Sequence, residues 1–98
     1  MKKPYTFSST IVVYGGVATW RFLGLPTKMA KEIKETYGKQ ARGWRSLPVT
    51  VTIGATTWDT SIFPDNKAGT YLLPLKASVR KAEAITDKDT VSCTISIR

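Results

Sequence analysis

The pattern of hydrophobic and polar positions predicts a chain made mostly of β-strands. Residues 91–97 alternate strictly, with Val91, Cys93, Ile95 and Ile97 on one face and polar residues on the other. Residues 49–53 alternate in the same way. Four further β-rich runs complete the prediction, at residues 5–14, 17–23, 57–63 and 71–73.

Large aromatic side chains on two of these strands are predicted to be buried. In residues 17–23 the alternation groups Ala18, Trp20 and Phe22 on one face, which we assign to the core. Trp58 shares a face with Ile62 on the strand at residues 57–63, and is assigned to the core for the same reason.

Two short helices are predicted, each following a Leu-Pro pair. In residues 27–37 a period of 100° per residue places Met29, Ala30, Ile33 and Tyr37 on one face. Gly38 is a natural stop for this helix. The second predicted helix, residues 78–84, is basic at its centre.

The order of these elements occurs twice. Leu25-Pro26 and Leu73-Pro74 can be aligned at an offset of 48, and each pair is followed by a helix, a turn and an alternating strand. We therefore predict one domain over residues 1–98, with pseudo-repeats at about 5–53 and 54–98. The expected fold is mainly β, a double-split pseudo-barrel built from two tandem strand–Leu-Pro–helix–strand repeats related by an approximate two-fold.

This unit resembles the swapped-hairpin barrel of AbrB/MazE-type regulators, in which two chains each donate one unit. The segment of closest similarity runs from Val79-Arg80-Lys81 to Val91. The resemblance implies DNA binding. Two features depart from the regulators: Lys88 stands before Asp89 in place of the usual glycine, and two extra residues separate Pro74 from Arg80.

The whole chain is similar to an uncharacterised family of domains of about this length that fuses two such units. The resemblance rests on Phe7, on the two Leu-Pro pairs, on Phe63-Pro64 with Gly69, and on Val79-Arg80-Lys81. It implies the tandem barrel and no particular function.

The charge distribution points to a polyanionic partner. The net charge is +8, and residues 1–48 hold nine of the 15 basic residues with only Glu32 and Glu35 as acids. Such asymmetry is typical of proteins that bind nucleic acid or an acidic surface, although a basic face can also serve solubility alone. The candidate phosphate-contacting residues are Lys28, Lys31, Lys34, Arg42 and Arg45, with weaker contacts from Arg80 and Lys81.

Trp44 stands between Arg42 and Arg45 in a glycine-containing loop. It can be interpreted as a stacking platform for a nucleobase or as a plug for one end of the barrel. The sequence leaves both interpretations open.

The residues needed for catalysis are largely missing. The chain has no histidine, and its one cysteine, Cys93, lies on the predicted apolar face of a strand. Asp87 and Asp89 are interpreted as turn residues, because two carboxylates make an incomplete metal site. We therefore expect no enzymatic activity, no metal and no cofactor.

Three functions remain open from the sequence. The first is a nucleic-acid-binding module, the second a protein-interaction or structural module with an acidic protein as partner, and the third a small-ligand domain with a cleft near Asp59 and Trp58. We expect a monomer or weak homodimer without a membrane partner. A single cysteine and the lack of a long apolar run favour the cytoplasm.

Overall fold

Six antiparallel strands form a closed barrel with two helices, in a computed structural model that describes residues 3–15 and 20–98. The predicted class, mainly β with two short helices, is confirmed. Two short 3-10 turns, Gly38–Gln40 and Gly43–Arg45, follow the first helix. In chain order the elements are β1 (Tyr5–Tyr14), β2 (Trp20–Gly24), α1 (Thr27–Tyr37), β3 (Leu47–Ile53), β4 (Thr56–Asp65), β5 (Thr70–Pro74), α2 (Ala77–Ala82) and β6 (Thr90–Ile97).

The barrel closes because β1 and β4 each pair with two different strands. Residues 5–10 of β1 pair with β6, and residues 11–14 pair with β2. In the same way residues 56–62 of β4 pair with β3, and residues 63–65 pair with β5. The strand order is therefore β1-β2-β5-β4-β3-β6, with β6 returning to β1. Within the described residues, each strand of the barrel therefore has a paired neighbour on both sides.

The pairing of β2 with β5 is one of four strand pairs that join the two halves of the chain, beside β1–β6, β3–β6 and β3–β4. Leu23 lies opposite Leu73, and both side chains are fully buried. Beyond the strands, the amide of Leu25 donates a hydrogen bond to the carbonyl of Tyr71 at 3.0 Å. The amide of Leu75 donates to the carbonyl of Arg21 at 2.9 Å. The two bonds are reciprocal: the residue after β2 donates to β5, and the residue after β5 donates to β2.

The reciprocal bonds give the offset between the halves. Leu25 corresponds to Leu75 in this hydrogen-bonding pattern, and the helices begin at Thr27 and Ala77. The offset at this point is therefore 50, and the predicted alignment of Leu25-Pro26 with Leu73-Pro74 at 48 is wrong by two residues. Short sequence identities misled the alignment, whereas backbone pairing fixes it. The tandem origin of the halves stays a prediction.

The predicted alternation and helix period account for most of the core. The face of α1 that carries Ala30, Ile33 and Tyr37 is buried, and α1 has the predicted bounds. On β6 the four alternating apolar residues are all buried, and Cys93 is 3% exposed. One cluster joins these side chains to the inward residues of the other strands, among them Tyr5, Phe7, Val49, Val51, Ile53, Ile62 and Tyr71.

The prediction for β2 is wrong about which face is buried. Leu23 points into the core, while Trp20 is 60% exposed and Phe22 is only partly covered. Successive residues of a strand point to opposite sides, so burial of Leu23 turns Trp20 and Phe22 outward. Ala18, assigned to the same face, lies outside the described residues. Trp58 is half-buried and packs against the core, so that the prediction for it is confirmed in part.

Helix α2 is held by side chains from other elements. The carboxylate of Glu83 accepts a hydrogen bond from Thr56 Oγ1 at 2.6 Å, which places it over the β3–β4 turn. A side chain at Gly54 would meet this carboxylate, and Gly54 has a φ of +57°. Arg21 of β2 donates two hydrogen bonds to Asp87 in the loop after α2, at 2.7 and 3.0 Å. The helix ends at Ala82, two residues before the predicted end.

The outer surface of the barrel has two chemically different sides. Where β1, β6, β3 and β4 pair, the outward side chains are mostly serine and threonine, and we call this side the hydroxyl face. Neighbouring strands on it are joined by hydroxyl pairs such as Thr6 with Thr94 at 2.9 Å and Ser8 with Ser92 at 2.7 Å. The hydroxyl face consists of Thr6, Ser8, Thr10, Thr50, Thr52, Thr57, Thr90, Ser92, Thr94 and Ser96.

The reversal on β2 gives a direct stability test. Leu23→Ala should lower the free energy of unfolding by about 2–5 kcal/mol, because it opens a cavity at a fully buried site. Trp20→Ala removes a larger side chain, yet it should cost less than about 1 kcal/mol, because the ring is exposed. Urea unfolding of both variants measures the difference. A larger cost for Trp20→Ala than for Leu23→Ala would contradict the observed orientation of β2.

Candidate nucleic-acid interface

A groove lined by lysines runs between α1 and the loop that joins β4 to β5. Lys28, Lys31 and Lys34 form one wall, and the loop with the start of β5 forms the other. The cavity measures about 490 Å³. The residues that line it are Thr27, Lys28, Ala30, Lys31, Lys34, Pro64, Asp65, Asn66, Gly69, Thr70 and Tyr71. We call this cavity and its continuation, described below, the basic groove.

The period of α1 explains why the three lysines share a wall. Residues three apart on an α-helix lie about 60° apart around the axis, so a spacing of three keeps Lys28, Lys31 and Lys34 within about 120°. Their side chains are exposed, while the opposite face of α1 is buried in the core. The three ammonium groups therefore lie along the groove over about 9 Å of helix.

No acidic side chain in the described part of the chain forms an ion pair with these lysines. The ion pairs within residues 3–15 and 20–98 join Lys3 to Glu32, Arg21 to Asp87 and Arg98 to Asp59. Glu32, one helical turn after Lys28, forms its ion pair with Lys3 at 2.9 Å and lines a separate depression with Lys28. The hydrogen bond from Lys3 lowers the pKa of Glu32, and a smaller contribution comes from the hydrogen bond with Tyr5.

Asp65 lies in the groove, but its carboxylate is occupied. Its Oδ1 accepts hydrogen bonds from the amides of Lys67 and Ala68 at 3.1 and 3.3 Å. Its Oδ2 accepts one from the hydroxyl of Tyr14 at 3.3 Å, and the charge of Asp65 raises the pKa of that phenol. The carboxylate therefore shapes the β4–β5 turn, in which Gly69 has a positive φ of +67°.

The groove continues past the end of α1 towards Arg45. A second cavity of about 370 Å³ shares Lys34, Asn66 and Tyr71 with the first. It adds Lys39, Arg45 and the acidic Glu35 to the lining. The structure thus brings together four predicted site residues, Lys28, Lys31, Lys34 and Arg45, and Lys39 joins them.

The loop after Lys39 holds Trp44 outward beside the end of the groove. Trp44 is 88% exposed, which overturns the interpretation of this side chain as a barrel plug. Trp44 and Arg45 have φ values of +61° and +56°, a left-handed conformation that costs non-glycine residues about 1–3 kcal/mol each.

Hydrogen bonds around Ser46 keep the loop in this conformation. The amide of Arg42 donates to the carbonyl of Ser46 at 2.9 Å. The amide and the hydroxyl of Ser46 both donate to the carbonyl of Gly43, at 3.2 and 2.8 Å. Ser46 is buried, so these bonds fix the turn at its base and leave Trp44 at its tip.

Three predicted site residues lie outside the groove lining. Arg42 is exposed and does not line the groove. On α2, Arg80 is half-buried and donates from Nε to the carbonyl of Leu75 at 3.2 Å. Lys81 is exposed on the same helix. Sequence similarity between the two halves suggested equivalent contacts, but the guanidinium of Arg80 is engaged with its own backbone.

A second surface was missed by the sequence interpretation. Tyr14, Trp20 and Phe22 lie together on the outside of β1 and β2, with ring centroids 5.5 Å apart for Tyr14 and Phe22 and 6.3 Å apart for Trp20 and Phe22. They surround a shallow depression of about 500 Å³ with residues of β4 and β5. We call this surface the apolar patch: Tyr14, Trp20, Phe22, Phe63, Leu72 and Pro74.

The pattern of β5 carried a signal for this patch. Leu72 and Leu73 are adjacent, so one of them must point away from the core, and Pro74 follows on the outward side. A strand that is apolar on both faces indicates a covered or interacting surface.

The cleft expected near Asp59 and Trp58 is small. Its volume is about 110 Å³, below the range of about 300–1,000 Å³ typical of ligand pockets. Asp59 accepts a hydrogen bond from Thr50 at 2.7 Å and lies 3.8 Å from the guanidinium of Arg98. Across the described residues, no three Cys, Asp or Glu side chains gather as metal ligands.

Comparison with protein families identifies the domain. A family model described as a domain of unknown function (DUF1905) matches residues 7–95. The chain belongs to the DUF1905 family. A search of curated proteins finds no match. None of the helices in the described DUF1905 chain is long and apolar enough to cross a membrane.

Cys93 should react slowly with thiol reagents in the native protein. The side chain is buried, and burial raises the pKa of the Cys93 thiol to about 12. At about pH 8 only a fraction near 10⁻⁴ is thiolate, the reactive form. The thiol should be labelled only when the barrel opens and exposes Cys93, whereas Cys93 in a denatured control should be labelled quickly. Equal rates in the two samples would contradict the register of β6.

Proposed function

We propose that this DUF1905 domain is a non-enzymatic nucleic-acid-binding module that holds a phosphate backbone in the basic groove. The observation that carries the proposal is the wall of three lysines, which form no ion pair within the described residues and face a loop across a cavity of about 490 Å³. Lysine ammonium groups bind phosphate oxygens as point charges and release counterions, which favours association without base specificity.

The charge of the whole domain supports this function. A net charge of +8 raises the rate of encounter with a polyanion, and the basic residues of the groove lie close together along it. Lys28 to Lys34 spans about 9 Å of helix. We assign the strongest contacts to Lys28, Lys31, Lys34 and Arg45.

The two halves of the barrel are fused copies of one unit related to the AbrB/MazE-type barrel. The reciprocal bonds of Leu25 and Leu75 support this part of the proposal, as does the exchange of β1, β2 and β3 with β4, β5 and β6 in the pairing order. The copies have diverged in function. The first carries the lysine wall, while the second keeps Arg80 and Lys81 as a weaker contact beside Asp87.

Reversing the lysine wall should remove binding. Lys28→Glu with Lys31→Glu and Lys34→Glu replaces three attractions by three repulsions, so affinity for a labelled oligonucleotide should fall at least about 100-fold at about 50 mM salt. The slope of log K against log salt should flatten by about 2–3, since each lost phosphate contact removes about 0.7–0.9. Fluorescence anisotropy over a salt series measures both quantities.

A charge-matched variant controls for net charge. Lys76→Glu with Lys81→Glu and Lys88→Glu changes the net charge by the same amount, at exposed positions around α2. It should weaken binding less than the lysine-wall variant, as should Arg80→Glu with Lys81→Glu. Equal losses would show that only net charge matters. Absence of binding by the unmodified protein to DNA and RNA would reject the proposal and leave an acidic protein as the partner.

The apolar patch favours a second candidate function, a protein-interaction module. Exposed tryptophan, tyrosine and phenylalanine side chains around one depression are typical of interface centres. A second copy of the chain is the partner that can be tested directly. The patch and the groove have different lining residues, and they adjoin where Tyr14 of the patch donates a hydrogen bond to Asp65 of the groove.

Self-association through the patch should be sensitive to charge. Trp20→Lys with Phe63→Lys should shift sedimentation towards the monomer, because burial of two ammonium groups opposes contact. Thr10→Lys with Thr57→Lys makes the same charge change on the hydroxyl face and should leave sedimentation unchanged. A protein that is monomeric at all concentrations would contradict the homodimer.

A further inference from the structure

We propose that Trp44 stacks on an unpaired nucleobase, which makes the basic groove a site for single-stranded nucleic acid. This inference rests on the proposed function, because the lysine wall would hold the phosphates of the same strand. It adds the class of nucleic acid and the residue that selects it.

The exposure of Trp44 is the first support. A tryptophan side chain is mostly buried in folded proteins, and 88% exposure leaves both faces of this ring open to a ligand. In the part of the chain that the structure describes, no aromatic ring or cation packs against the Trp44 ring. Removing the side chain would therefore leave the protein core intact.

The backbone of the loop is the second support. Two consecutive non-glycine residues, Trp44 and Arg45, have positive φ, and the buried Ser46 holds the turn through its hydrogen bonds to Gly43. Strained conformations of this kind occur where the surrounding structure positions a side chain for binding. The turn directs the side chain outward, so a ligand does not have to reorganise the backbone of the loop.

The position beside the groove is the third support. Arg45 lines the groove together with Lys34 and Lys39, and its neighbour Trp44 stands at that end. A strand whose phosphates follow the lysines would bring a base to the indole, and the exposed Arg42, two residues before Trp44, is available to a further phosphate. Aromatic rings between basic residues are the arrangement that single-strand-binding proteins use.

Stacking on Trp44 requires an open base face, which a single strand offers and a duplex does not. A base inside a duplex is stacked on both faces and paired along its edge, so its face is closed to a side chain. An unpaired base can turn its face to the indole without that cost. Deoxyribose and ribose strands share this chemistry, and both should bind.

An oligonucleotide without bases separates stacking from phosphate contact. The probes are labelled strands of about 12 nucleotides: oligothymidylate, oligouridylate, a fully abasic strand with the same phosphates, and a duplex of the same length. Anisotropy titrations at about 50 mM salt give the affinities. The two strands with bases should bind about 5- to 100-fold more tightly than the abasic strand, as expected for one stacked base.

Two variants assign the difference to Trp44. Trp44→Gly removes the ring and tolerates the positive φ, so folding is preserved, and Trp44→Phe keeps a smaller ring. Trp44→Gly should lower the affinity for oligothymidylate to that for the abasic strand and leave abasic binding unchanged. Trp44→Phe should keep most of the preference. Trp20→Gly, at the exposed tryptophan of the apolar patch, should have no effect on it.

The failures of the two proposals can be told apart. Equal affinity for the abasic strand and oligothymidylate would overturn the stacking role while leaving phosphate binding in the groove. Duplex affinity equal to or above single-strand affinity would overturn the selectivity. If no probe binds and polyglutamate binds in a Trp44-dependent manner, both nucleic-acid proposals are wrong and the loop recognises an acidic polypeptide.

Discussion

Closure of the barrel through β1 and β4 is the constraint on which the remaining structure depends. Each of these strands changes partner part-way along its ten residues, and the change of partner divides the outer surface in two. One part of each strand contributes to the hydroxyl face, and the other borders the apolar patch. The same change of partner carries the β4–β5 loop to α1, where the two form the basic groove. The surfaces proposed for binding are therefore consequences of strand pairing.

The pairing of β2 with β5 locks the two halves together at the centre of this arrangement. Leu23 and Leu73 bury fully against the core, and the reciprocal bonds of Leu25 and Leu75 continue the contact to the start of each helix. Because both helices start from this contact, the position of the lysine wall depends on it. A change that shifts β2 against β5 would move α1 relative to the β4–β5 loop, and the groove would change width.

The sequence predicts where helices and strands lie better than it predicts which face of a strand is buried. The bounds of α1 and the alternation of β6 follow from strong periods, and the structure agrees with both. Trp20 was misassigned because an aromatic residue favours a strand without indicating which side is buried, and a shift of one residue inverts the choice. The lysines of the groove were predictable from helix period alone. Its other wall, at Asn66 and Tyr71, was not, because it reaches α1 only through long-range pairing of β4 and β5.

Electrostatics link the groove to the Trp44 loop. Two of the acids near the lysine wall have other partners: Glu32 pairs with Lys3, and Asp65 accepts hydrogen bonds from its own turn and from Tyr14. A third, Glu35, lines the groove beside Lys34 and offsets part of the charge. The remaining positive potential of the wall extends about 10 Å at 0.1 M salt before counterions screen it. A tryptophan farther than this from the lysines would not benefit from their attraction for a polyanion. Trp44 adjoins Arg45, which lines the groove, so in the proposed complex a strand attracted by the lysines would bring its bases close to the indole.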